Sequence, residues 1–202
     1  MTEEDSNIEK MQDIVNTLMN LMSSDTVKVH FFYSMQLASY FHQFTLDFIY
    51  TLNNEKYDNR SERVKDYEKR LNIRIQALII ICFLDEIGLF LGKGFREELL
   101  FHNFDNDSAE FDLLRKNISQ FREKNQQYFR SIRNSALAHK KEGPEISWQT
   151  IQTIDTVEFD LKFLEFGEII NHFKDAVGVL MKTILEKIKG AFSIYYATKN
   201  NE

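Results

Sequence analysis

SAEFDLLRKNISQFREKNQQYFRSIRNSALAH, residues 108–139, reads as one long helix. Phe111, Leu114, Ile118, Phe121, Asn125, Tyr128, Ile132, Ser135 and His139 recur in it at spacings of three and four, the period of a helix face and not of a strand. The seam is apolar until it turns polar at Ser135, as a packed surface does where it opens into a cleft. Gly143-Pro144 stops the helix.

The same period recurs on both sides. A helix capped by Asp5-Ser6 would carry Ile8, Met11, Val15, Leu18, Met19 and Met22 on one face. The next places Phe31, Met35, Ala38, Phe41, Phe48 and Leu52 together, widened by Phe32, Tyr40, Phe44 and Ile49, a stripe broad enough to need burial on more than one side. A third, over about 61–91, is charged in its first half and apolar in its second, and is stopped by Gly92 and Gly94. A short element over 95–101 leads into a polar loop at 102–108. Residues 145–154 read as extended, anchored by Trp148. The last helix starts at Asp155 or Thr156 and carries Leu161, Leu164, Ile169, Phe173, Val177, Leu180, Ile184 and Ile188 to about residue 192.

Composition agrees. The 202 residues include eighteen Phe against seven Gly and one Pro, few turn residues for a sheet-rich domain and enough for a bundle. The expected fold is all-α, an up-down bundle of about five long helices, with a peripheral helix over 1–26, the bundle over 27–192 and a polar tail over 193–202, frayed from Ala197 on. The formal charge of −6 argues against a surface that grips nucleic acid everywhere, while leaving room for local basic patches. A single cysteine, Cys82, excludes an intrachain disulfide, and its place in the apolar run of residues 77–84 predicts a core thiol. That run is far shorter than the roughly 20 residues of a transmembrane helix, and the acidic start is unlike a secretory signal. The expectation is a cytoplasmic protein without a membrane span.

A second stripe runs beside the seam of residues 108–139, made of Arg115, Arg122, Phe129, Arg133, Ala136 and Lys140, with Arg130 and Lys141 nearby. Eight Lys or Arg against three Asp or Glu between positions 108 and 141 make this strip basic within an acidic chain. Arg115, Arg122, Arg130, Lys140 and Lys141 could track RNA phosphates, with Phe129 as a platform for a base; a solvated face beside a core phenylalanine gives the same pattern.

At the end of that strip stands Arg133-Asn134-Ser135-Ala136-Leu137-Ala138-His139. It resembles the R-N-x(4)-H signature of the HEPN superfamily, helical proteins that include toxin and antiphage ribonucleases, and the helical layout over 27–192 is similar. The resemblance implies a metal-independent endoribonuclease that cuts RNA by 2′-hydroxyl attack, in a cleft shared by a homodimer. Its place would be in toxin–antitoxin or antiphage defence, with an antitoxin or other regulatory protein as a partner. His139 would exchange protons near neutral pH. Arg133 would stabilise phosphoryl charge, and Asn134 would orient phosphate or imidazole. On an ideal helix Arg133 and His139 lie roughly 9 Å apart along the axis, too far for one copy to bracket one phosphate. The residues also permit plainer roles: Arg133 paired with a carboxylate, and residues 134–139 as a helix C-cap. The competing function is a non-catalytic helical domain that binds a protein partner, nucleotide or RNA.

No cofactor and no metal is expected. Asp85 and Glu86 follow the apolar run and either orient Arg133 or His139, or face solvent or pair with an arginine. His102, Asp105, Asp107 and Glu110 lack the glycine and register of a calcium loop. Glu168 and His172 share a face, but two ligands do not make a metal site. His30 and His42 read as core or boundary residues.

Overall fold

The computed structural model describes residues 30–52, 62–137 and 152–199. These form five helices: α1 (Phe32–Leu52), α2 (Glu62–Phe90), α3 (Lys93–Phe101), α4 (Asp105–Leu137) and α5 (Thr156–Lys199). The fold is an all-α helical bundle, with no strand among the described residues. The expected N-terminal helix, the extended segment around Trp148, and the residues His139, Lys140 and Lys141 lie outside the described residues. The chain divides into two compact units, one of residues 1–42, 90–112 and 172–202, the other of residues 43–89 and 113–171.

In the first unit, Phe41 meets Phe173 edge-on at 4.6 Å and Phe95 meets Phe111 at 5.0 Å, aromatic contacts that add to burial. No polar loop separates α3 from α4. The chain turns within three residues, because Asn103 adopts a left-handed φ of 57°, a conformation asparagine tolerates. The Asn103 amide donates to Leu100 O and the Phe104 amide to Leu99 O, both halves of a Schellman motif. His102 is buried there, stacked on Phe31 at 4.3 Å, and Lys187 Nζ sits 4.9 Å over the Phe104 ring. His102 is therefore a packing residue, while His30 is exposed and contributes its carbonyl oxygen to the His102 ring, 2.6 Å away. His172 bonds Glu110 at 2.6 Å.

The start of α1 follows Phe31, whose side chain cannot cap a helix. Glu98 of α3 supplies the missing acceptor. It receives the Tyr33 amide at 2.9 Å, the Ser34 amide at 2.8 Å and the Ser34 hydroxyl at 2.5 Å. A carboxylate at this end also complements the helix dipole. Glu98→Ala should cost about 1–2 kcal/mol, the scale of a lost cap, read from the urea midpoint at constant slope.

The second unit has an aromatic centre. Phe44 lies 4.6 Å from Phe83, and Phe166 meets both Phe83 and Phe121 at 5.5 Å. Phe111, Leu114, Ile118, Phe121, Asn125 and Ile132 of the α4 seam are all buried. α5 departs from its expected face: Leu161 and Leu164 are exposed, and Phe159, Phe166 and Ile170 are buried instead. Two apolar stripes compete at this end of α5, and the larger aromatic side chains take the interior because they remove more surface from water. Asp155 caps α5 by accepting the Val157 and Glu158 amides at 2.9 and 3.0 Å. Arg70 fixes the preceding turn, donating to Ile154 O at 2.7 Å and Gln152 O at 3.0 Å.

Cys82 is exposed, not a core residue. At 100° per residue, eight consecutive apolar residues sweep more than two turns, so the run cannot be buried throughout: Ala77, Ile80, Ile81, Phe83 and Leu84 are interior while Leu78 and Cys82 face out.

Candidate functional site

The end of α4 brings the candidate groups to the surface of the second unit. Arg133 is half-buried and Asn134 exposed. The Arg133 guanidinium donates to Asn134 Oδ1 from Nε at 3.2 Å and from Nη2 at 3.1 Å. No carboxylate among the described residues forms an ion pair with it. The first two residues of the signature thus form one polar unit, with donors of the guanidinium remaining for an anion.

The other arginines are differently engaged. Asp85 accepts from Arg130 Nη2 at 3.0 and 3.3 Å, from Gln126 Nε2 at 3.1 Å and from Arg122 Nη2 at 3.4 Å. Arg122 also donates to Leu84 O. Positions 122, 126 and 130 are four apart and share a face, so a single carboxylate on α2 gathers all three. Asp85 therefore pairs with Arg122 and Arg130 and does not orient Arg133. Lys124 is held by Glu165 at 3.1 Å. The basic strip is thus in large part internally neutralised at Arg122, Lys124 and Arg130.

Phe129 offers no base platform. Its exposure is 0%, and its ring lies 5.9 Å from Phe121 and Phe159 and 5.5 Å from Tyr128. It borders the seam closely enough to join the core, the plainer reading of its place in the stripe. Asn125 is also fully buried and accepts from Lys162 Nζ at 3.1 Å; Lys162 in turn lies 5.0 Å over the Tyr128 ring. Burial, then the charges of Glu158, Asp155 and Asp160, push the Tyr128 phenol up to about 12. It stays protonated at neutral pH and is no general base. Cys82 is accessible on one side, yet desolvation on the other raises its thiol; Glu86 and Asp85 act in the same direction and Arg133 opposes them. The thiol is thus no activated nucleophile.

The concave sites suit RNA poorly. A cavity of about 600 Å³ in the first unit is lined by Asp105, Asp107, Glu110 and Asp175, and one of about 320 Å³ in the second by Asp155 and Glu158, carboxylates that repel phosphate. Among the described residues no cluster of three or more His, Cys, Asp or Glu is placed to hold a metal ion, and no single helix is long and apolar enough to cross a membrane.

Comparison with protein-family models, curated proteins and solved structures yields no significant match.

Proposed function

We propose that this chain is a metal-independent endoribonuclease of HEPN type, acting as a homodimer on RNA, with a role in toxin–antitoxin or antiphage defence. The observation that carries the reading is the Arg133–Asn134 pair. On a helix whose Arg122 and Arg130 are committed to Asp85, the Arg133 guanidinium bonds, among the described residues, the neighbouring Asn134 amide and can receive a phosphate. A 2′-hydroxyl attacks the adjacent phosphorus, the bond to the 5′-oxygen breaks, and a 2′,3′-cyclic phosphate and a 5′-hydroxyl end result. His139 is the group suited to take or give the proton in this exchange, because imidazole side chains exchange protons near neutral pH. Arg133 stabilises charge on the non-bridging oxygens. DNA lacks the attacking hydroxyl and resists. A cytoplasmic location goes with this reading.

A second reading is favoured by the neutralised strip and the buried Phe129: a non-catalytic domain that binds a protein partner. Cleavage of labelled RNA in EDTA separates the two. The proposal expects cyclic-phosphate ends from the parent protein and none from His139→Ala with an unchanged circular dichroism spectrum. Equal cleavage by both would remove His139 from the mechanism, and no cleavage by the parent would favour the binding domain.

A further inference from the structure

The carboxylates of the smaller cavity turn a phosphate away, but they do not turn away an uncharged base. That cavity, of about 320 Å³, is lined by Tyr128, Ser131 and Ile132 of α4, by Ile154 and Asp155, and by Glu158 of α5, all in the second unit. Its size is at the low end for a ligand pocket. Ile132 and Ile154 are buried and apolar, and Tyr128 adds an aromatic ring whose phenol stays protonated. An apolar wall, an aromatic ring and a few polar groups make up a site for a flat heterocycle.

The two carboxylates differ. Asp155 Oδ1 is engaged as the cap of α5, accepting the Val157 and Glu158 amides. The Glu158 carboxylate is half-exposed, and its ion pair among the described residues is with Lys162, 3.5 Å from Oε1. Lys162 is anchored in turn by Asn125 Oδ1 at 3.1 Å. Asn125 is fully buried, one turn from the buried Phe121 and one turn from the buried Phe129, a setting in which an amide costs stability. The amide fixes Lys162, and Lys162 holds Glu158 at the cavity wall.

A carboxylate only accepts hydrogen bonds, so it selects a base edge with two N–H donors side by side. Guanine presents such an edge, N1–H beside the N2 amino group. Adenine and cytosine set a donor beside an unprotonated ring nitrogen, and uracil sets its one donor between two carbonyls, so each would aim a lone pair at Glu158. The cavity also lies close to the signature. Ser131 on its wall and Asn134, which accepts from the Arg133 guanidinium, are three residues apart and therefore neighbours on the helix surface. About 4.5 Å of helical rise separates them, a span of the kind that one ribose bridges between a base and its phosphate.

We propose that this cavity is a guanine subsite, in which Glu158 accepts the N1–H and N2–H bonds and Tyr128 stacks on the base, so that a guanine neighbouring the scissile phosphate is read. This deepens the ribonuclease reading and rests on it for the role of the base in cleavage. A free guanine nucleotide presents the same edge, and its recognition is measured without cleavage.

Guanosine 3′-monophosphate should bind, in an NMR titration, roughly ten- to a hundredfold tighter than adenosine 3′-monophosphate, the discrimination of one bidentate pair. Glu158→Gln should abolish the preference, since its amide sets a donor where an acceptor stood; the side chain is half-exposed, so folding should survive. In RNAs that differ at one base, cleavage should be fastest next to guanine, slower next to inosine, which lacks the N2 amino group, and slowest next to adenine. Glu158→Gln should remove the advantage of guanine, whereas a structural loss would lower cleavage at every base alike. Glu165→Gln, on the same helix and paired with Lys124, should behave as the parent. Equal binding of the two nucleotides, binding of neither, or a guanine preference that survives Glu158→Gln overturns the inference, and so does cleavage indifferent to the base. Glu158-dependent binding of guanosine 3′-monophosphate by a protein that cuts no RNA supports the subsite and removes only the ribonuclease reading.

Discussion

Phe129→Ala should lower the free energy of unfolding by about 3–5 kcal/mol, the range for deleting a buried aromatic ring. The ring is wholly enclosed, in contact with Phe121, Tyr128 and Phe159, so truncation loses its transfer free energy and leaves a void that its neighbours fill only in part. Phe129→Leu should cost less, since most of the volume remains. Urea unfolding at constant slope measures both. RNA binding gives the opposing test: a base platform would lose affinity in a folded Phe129→Leu protein, whereas a core residue leaves affinity unchanged. A destabilisation below about 1 kcal/mol would mean the site is not the closed core described above.

The same residue shows how far the sequence could be read. The α4 seam was legible because one helix face packs and the other does not, giving a clean alternation of three and four. Phe129 sits at the border of that seam, where a heptad count groups it with Arg115 and Arg122; only the ring contacts decide its side. On α2 the density of apolar residues hid the outward position of Cys82, because a run of eight carries no period. At the start of α5 two stripes were both consistent with a helix, and side-chain size chose between them. The pairing of Asp85 with Arg122, Gln126 and Arg130 depends on how two helices lie against each other, which a local pattern does not encode. Its trace was the spacing of 122, 126 and 130, visible as a shared face without a visible partner. Of the signature itself, the structure joins Arg133 to Asn134, and His139 lies outside the described residues.

On the ribonuclease reading, Arg133→Ala should reduce cleavage by roughly 10²–10³ at little cost in stability, the loss expected for removing one charge-stabilising donor. Among the described residues the guanidinium bonds the Asn134 side chain alone, so its removal frees an exposed amide and buries no unpaired charge; the unfolding free energy should move by no more than about 0.5 kcal/mol. Arg130→Ala is the control. It also deletes a cation from α4, but one held by Asp85 at 3.0 Å, and cleavage should fall much less. Arg133→Lys separates charge from shape: an ammonium keeps the positive charge and loses the planar fork, so intermediate activity points to bidentate phosphate contact. If Arg133 and His139 serve the same transition state, Arg133→Ala combined with His139→Ala should be hardly worse than the more damaging single change, because groups that act as a unit are not additive. Full activity of Arg133→Ala would leave the Arg133–Asn134 pair as surface structure and return the function of α4 to partner binding.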